Sequence, residues 1–256
     1  MTQTATYPDL SGASVFITGG GSGIGASLTE GFLRQGARVA FIGRSDASHF
    51  VEEMTQTTGN TPLFIQGDIT DVHSLRAAME AAADAHGPIT RLVNNAANDK
   101  RHATLDVDEA FWDWSVAINL KAYFFACQHA IRGMKSVGYG HIVNFSSISY
   151  MMGNAGYAIY TSSNAGITGM TRSLAREFGP DRIRVNALAP GWVLTPKQLE
   201  LWADPVSLQA HLDRACLKDH LTPADIVNPT LFLSSDASRM MTGQVMAVDG
   251  GVVVTG

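Results

Sequence analysis

The sequence predicts an α/β fold, a single doubly wound parallel sheet with helices on both faces. Three observations carry that prediction. Short apolar runs alternate with stretches of helical periodicity along the chain, the pattern of strand–helix–strand units in a parallel sheet. The first run, Ser14 to Thr18, empties into a glycine cluster, and a helical pattern leaves it. The 256 residues are 45% hydrophobic and 16% charged, which suits one domain over 1–256 with a large core. No internal repeat or low-complexity linker divides it.

The cluster reads Gly19-Gly20-Gly21-Ser22-Gly23-Ile24-Gly25. Such a turn lets backbone N–H groups approach a phosphate closely, and the helix N-terminus adds its positive dipole end. A side chain at Gly19, Gly23 or Gly25 would crowd the pyrophosphate or the strand beneath. An ordinary glycine-rich turn is the alternative, but the strand-to-helix context is what a Rossmann-type dinucleotide fold requires. The helix should turn Ile24, Leu28, Phe32 and Leu33 inward.

Arg38 to Ile42 reads as the second strand and is followed by Gly43-Arg44-Ser45. The end of this strand faces the adenosine ribose in a dinucleotide fold, and an acidic residue there selects NAD. Here Gly43 takes that place, while Arg44 can pair with a 2′-phosphate and Ser45 can add a hydroxyl. NADP is therefore favoured over NAD. The alternative for Arg44 is a solvated surface arginine with mixed cofactor use. Pro62 to Gln66 reads as the third strand and ends in Gly67-Asp68-Ile69-Thr70. A helical pattern starts near Val72, so Asp68, Thr70 or Asp71 can cap it.

Thr90 to Val93 reads as the fourth strand and runs into Asn94-Asn95-Ala96-Ala97, then the polar stretch Asn98-Asp99-Lys100-Arg101-His102. Those polar residues would lie at the carboxyl edge of the sheet, where open α/β sheets bind ligands. They form a plain loop, or Asn98 or Asp99 reaches a polyhydroxylated substrate. Asp106 to Lys135 reads as one long helical region, apolar on most sides through Phe111, Trp112, Trp114, Ile118, Leu120, Phe124 and Phe125. Asn119 sits inside it, unfavourable there unless its amide is satisfied. His141 to Phe145 forms the fifth strand and delivers Ser146-Ser147. Arg184 to Leu188 is the sixth, Met246 to Val248 the last, and 196–221 reads as a helical substrate lid.

The net charge of −5 argues against a general nucleic-acid or anionic-membrane binder. Cys127 and Cys216 belong to no C-x-x-C pair and read as free thiols in a reducing compartment. No secretory leader, membrane-length apolar run or metal-binding motif is evident. A cytoplasmic protein with no catalytic metal is expected.

The Gly19-x-x-x-Gly23-x-Gly25 spacing, Asn94-Asn95-Ala96-Ala97, Ser147 with Tyr160 thirteen residues later, and Pro190-Gly191 together resemble the short-chain dehydrogenase/reductase family across essentially the whole chain. The resemblance implies a cofactor site at Gly19, Ser22, Gly23, Ile24, Gly25, Asn95 and Ala96. It places adenine against Asp68 and Ile69, and the nicotinamide under Pro190, Gly191, Val193 and Thr195. It makes Tyr160 the residue that exchanges a proton with the substrate oxygen and Ser147 the one that orients it. It gives Asn119 a water beside the catalytic lysine. Two positions depart: Ala97 replaces the glycine of the family's Asn-Asn-Ala-Gly, a small change, and the second is the catalytic lysine. The family has Tyr-x-x-x-Lys, and this chain has Asn164. Tyr160 and Asn164 share a helix face, and Asn164 can bond the ribose but supplies no charge, so Tyr160 should be a poor base at neutral pH.

Asn94-Asn95-Ala96-Ala97-Asn98-Asp99-x-Arg101-His102, Phe145-Ser146-Ser147-Ile148-Ser149 and Cys216-Leu217-Lys218 most resemble the bacterial aldose 1-dehydrogenases. That resemblance implies oxidation of a pentose or 6-deoxyhexose to its lactone. It would place Asn98, Asp99, Ser147, Ser149, Asn154, Tyr160 and Trp192 round the sugar. A 3-oxoacyl carrier-protein reductase shares every catalytic motif, and a non-catalytic NADP-binding regulator would suit Asn164 alone. The helices through Trp114–Phe125 and Tyr160–Phe178 resemble the pair that builds four-helix interfaces, which implies a homodimer or homotetramer.

Overall fold

The computed structural model describes residues 5–254; the ends of the predicted 1–256 domain, 1–4 and 255–256, lie outside the described residues. Seven strands form one parallel sheet in the order β3-β2-β1-β4-β5-β6-β7. They are β1 (Ser14–Thr18), β2 (Arg38–Gly43), β3 (Leu63–Gln66), β4 (Arg91–Asn94), β5 (Gly140–Phe145), β6 (Ile183–Pro190) and β7 (Val245–Val248). The chain reverses direction of winding between β1 and β4, and the crevice outside the carboxyl ends of those strands is where such sheets bind ligands.

Alternation along the strands divides the core in two, because successive side chains point to opposite faces. Phe16, Ala40 and Ile42 enter one cluster with Leu75 and Met79 of α3 (Val72–His86) and Ala126 and Ala130 of α5 (Ala122–Val137). Val15, Ile17, Val39 and Phe41 enter the other, with Leu28 and Phe32 of α1 (Gly23–Arg34) and Ile226 and Leu231 of α10 (Pro223–Ser234). Leu28, Phe32 and Leu33 are fully buried as the periodicity predicts, and Ile24 is partly buried at the rim. Helix α2 (Ser48–Thr58) ends at Gly59, whose φ of 76° forms a left-handed cap.

Several boundaries differ from expectation. The predicted helix 106–135 is three segments: α4 (Glu109–Val116), a π-helical turn (Ala117–Lys121) and α5. Trp112 is 50% and Phe124 44% exposed, so the region is not apolar on its buried side alone. Strand β6 extends through Pro190 and absorbs the first residue of the Pro-Gly loop. Short α6 (Ser149–Met152) precedes α7 (Ala158–Phe178). The segment 196–221 contains two short helices, α8 (Pro196–Leu201) and α9 (Pro205–Arg214), each opened by a proline, whose missing N–H costs nothing in a first turn. Among the described residues no helix is long and apolar enough to cross a membrane.

Candidate active site

A cavity of about 1300 Å³ runs along the carboxyl ends of the strands, from Arg44 at one end to Trp202 at the other. Its floor is the glycine turn. Gly19 has φ 71° and Gly23 φ 52°, left-handed values that glycine alone adopts freely. A Cβ on Gly25 would stand 1.9 Å from the Gly19 carbonyl oxygen, so no side chain fits there. Ser22 is the N-cap of α1 with no side-chain capping bond, which leaves its hydroxyl and the first N–H groups of the helix available to an anion. The cradle fits a pyrophosphate.

The turn is braced from below. Thr18 Oγ1 accepts from the Asn95 and Ala96 amides at 3.0 and 3.1 Å, and Asn95 Nδ2 donates to the carbonyls of Thr18 and Gly19 at 3.1 and 3.2 Å. Thr29 Oγ1 donates to the Gly20 carbonyl at 2.9 Å. Asn95 thus shapes the cradle with its amide hydrogens committed. Thr18 precedes the glycine cluster and Thr29 lies four residues past its last glycine; neither is among the predicted site residues.

Arg44 and Ser45 line the adenosine end with Gly43. Gln66 Nε2 donates to the Arg44 carbonyl at 2.9 Å and fixes that turn, and among the described residues the Arg44 guanidinium makes no ion pair. Asp68 Oδ1 accepts from the amide and hydroxyl of Thr70 at 2.9 and 2.8 Å. Asp71 caps α3, accepting from the His73 amide at 2.9 Å. Asp68 and Ile69 both line the cavity, and Ile69 is buried.

Helix α7 and the end of β5 build the reacting end. Ser146 Oγ donates to the Asn164 carbonyl at 3.1 Å and ties the helix to the end of the strand, while Thr168 Oγ1 donates to the same carbonyl at 3.2 Å within α7. Ser147 Oγ accepts from the Ser149 amide at 3.1 Å. The Tyr160 phenol meets Ser147 inside the cavity. Burial first, then the Asp99 carboxylate, pushes Tyr160 up to about 12, and hydrogen bonds with the Ser147 and Asn164 side chains oppose this. Asn164 is 3% exposed, and its Nδ2 donates to the Tyr160 carbonyl at 2.9 Å within its own helix. No cationic side chain contributes to the Tyr160 shift.

Asn119 sits in the π-helical turn, a distortion frequent at functional sites. Its Oδ1 accepts from the Asn98 amide at 2.8 Å and its Nδ2 donates to the Asn98 carbonyl at 3.0 Å. The mid-helix amide is thereby satisfied by the loop after β4. Asn98 is not among the residues that line the cavity, and its Oδ1 accepts from the Lys100 amide at 3.0 Å. Ser149, Asn154, Trp192 and Asp99 do line it. Ser149 Oγ is buried with no partner, and Asn154 Nδ2 donates to the Tyr157 hydroxyl at 3.1 Å. Val193 is buried in a parallel bridge with Leu221, and the Thr195 hydroxyl caps α8 by accepting from the Gln198 amide at 3.3 Å. Gly191 admits no side chain, since a Cβ would meet the Asp249 backbone at 2.9 Å. Arg101 of the loop after β4, and Lys197, Gln198 and Trp202 of the 196–221 segment, also line the cavity and are not among the predicted site residues; only tertiary packing brings them together. Cys127 lies beneath, its thiol pushed up to about 12 by burial, so it is unreactive.

A parallel sheet with this crossover, a glycine turn after the first strand, and Ser147 after the fifth strand facing Tyr160 of α7 are the arrangement of a Rossmann-type oxidoreductase. The chain belongs to the short-chain dehydrogenase/reductase family: the family model described as enoyl-(acyl carrier protein) reductase matches residues 19–253. It is 46% identical over 251 residues to a Rhizobium meliloti (strain 1021) protein named "Probable galactose dehydrogenase GalD", covering 97% of this chain and 98% of the relative. It is 41% identical over 250 residues to the D-xylose 1-dehydrogenase of Caulobacter vibrioides (strain NA1000 / CB15N), covering 97% and 99%. The crystal structure of an NADPH-dependent 3-quinuclidinone reductase from Rhodotorula rubra superposes with a TM-score of 0.88 at 27% identity, covering 100% of this chain and 97% of that one.

Proposed function

We propose that this chain is an NADP-preferring aldose 1-dehydrogenase, oxidising the anomeric hydroxyl of a pentose or hexose to the lactone, with activity near neutral pH much reduced by Asn164. The observation that carries the oxidoreductase reading is the meeting of Ser147 and Tyr160 at one end of a cavity whose other end is a phosphate cradle. The sugar comes from the names of the two relatives, and a polar end carrying Ser149 and Asn154 suits a polyol.

Ser22, the α1 N-terminus, Asp68 and Arg44 would hold the dinucleotide, and Val193 and Thr195 its nicotinamide end. When bound, the cofactor supplies the hydride acceptor. Ser147 hydrogen-bonds the substrate hydroxyl and orients it. Tyr160 takes the hydroxyl proton as the C–H bond breaks. A neutral phenol is a poor acceptor, and Tyr160 is held neutral by burial and by Asp99. Asn164 offers no compensating charge.

A screen of aldoses with NADP and NAD on this protein and on Asn164→Lys tests the reading, with the product identified as a lactone by NMR. Turnover of a non-sugar ketone or of a 3-oxoacyl thioester in preference to every aldose would overturn it.

A further inference from the structure

The lid is fastened to the loop after β4 at one carboxylate. Asp99 Oδ2 accepts from Gln198 Nε2 at 2.8 Å, and Asp99 Oδ1 stands 3.5 Å from Lys197 Nζ. Both lid residues belong to α8. Gln198 continues the connection, its Oε1 accepting from Trp192 Nε1 at 2.9 Å. Two residues after Asp99, the Arg101 guanidinium lies between rings, 4.1 Å from Tyr157 and 5.2 Å from Trp202. Tyr157 in turn packs against Tyr160 at 5.9 Å between ring centroids. The same short loop therefore grips both the lid and the catalytic helix.

We propose that Asp99 is a positioning residue that latches the lid over the substrate end of the cavity, and that it is not itself a ligand of the substrate. Both carboxylate oxygens are engaged by the lid, and the side chain is only 22% exposed. The Gln198 bond is the stronger fastening, since hydrogen bonds to an ionised acceptor exceed neutral ones. The Lys197 ammonium is 52% exposed, and exposed ion pairs contribute little. The latch also has an electrostatic consequence. The carboxylate that holds the lid is the charge that disfavours ionisation of Tyr160, so closing the lid and activating the phenol are opposed unless substrate separates them.

Hydrogen exchange of the intact protein, read over 196–214, tests the latch without any substrate. Its failure is therefore distinguishable from failure of the sugar reading, on which only the catalytic role of Tyr160 rests. Asp99→Asn keeps the shape of the side chain, and Gln198→Ala removes the partner. Each should raise exchange in that segment about tenfold, the scale of one lost charge-assisted bond, and the double variant should gain nothing further. Lys197→Met should move exchange less than Gln198→Ala. Asp99→Asn should also lower the midpoint of the phenolate absorbance step that disappears in Tyr160→Phe. The proposal is overturned if Asp99→Asn leaves exchange over 196–214 unchanged and acts only on the KM for the sugar. Additive effects of the two single substitutions, or a larger effect from Lys197→Met, would overturn it as well.

Discussion

Replacing Asn164 by lysine perturbs one charge in an otherwise complete site. With Tyr160 pushed up to about 12, about one molecule in 100,000 carries the phenolate at pH 7. An ammonium one helical turn away, on the same face, favours the charged form by roughly one to three pH units. That corresponds to about 1.4–4 kcal/mol, or about a ten- to thousand-fold gain in phenolate at fixed pH. The fold should tolerate the change. Asn164 lines the cavity and its side-chain hydrogen bonds, to the carbonyl and the phenol of Tyr160, stay within α7, so each lost contact costs about 1 kcal/mol. The assay is NADPH formation with the best aldose, followed across pH for both proteins. The unmodified chain should speed up about tenfold per pH unit and show no plateau below about pH 11. Asn164→Lys should level off one to three units earlier, and Asn164→Lys with Tyr160→Phe should be inactive throughout. Equal turnover of the two proteins at pH 7, or an early plateau in the unmodified chain, would refute the assignment of residue 164 as the missing activator.

Arg44→Ala should weaken NADP by about 1.5–3 kcal/mol in calorimetry and leave NAD nearly unchanged, because only the 2′-phosphate is lost to it; equal losses would remove the basis for the preference. Gly25→Ala should abolish binding of both cofactors, since the added methyl would meet a backbone carbonyl at 1.9 Å; retained affinity in the folded variant would show that the turn can relax. His141 is buried and accepts through Nδ1 from Arg184, and burial first, then Arg91 and Arg184, pushes it down to about 2. An unfolded histidine takes up its proton near pH 6.5, so the stabilising contribution is full above that value and is lost as pH falls toward 2. Thermal stability measured from neutral to acid pH should therefore fall more steeply than in His141→Gln, by about 1.4 kcal/mol per pH unit at most; parallel curves would count against it. The apolar hollow formed by Val116, Leu120, Phe124, Gly166 and Met170 should be covered in a dimer or tetramer, and a monomer mass by sedimentation at micromolar concentration would exclude that.

The sequence alone determined the sheet, because a strand–glycine–helix junction and alternating apolar runs are local patterns that the backbone converts directly into βαβ units. The Ser147–Tyr160 pair and the departure at Asn164 were legible through the family resemblance, which their spacing along a strand end and a helix carries. Local pattern failed where a side chain had two partners to choose from. Asn98 reads as a free polar residue, yet Asn119 and the Lys100 amide claim it. The helix through Asn119 reads as continuous, yet a π-helical turn widens it where that amide must reach a separate loop. The Tyr160 phenol reads as an ordinary tyrosine, and only its folded surroundings push it upward, since desolvation and the field of Asp99 depend on distances that no residue spacing encodes. The lid contacts are of the same kind. Gln198 and Asp99 stand 99 positions apart in the chain, and tertiary packing alone decides that they meet.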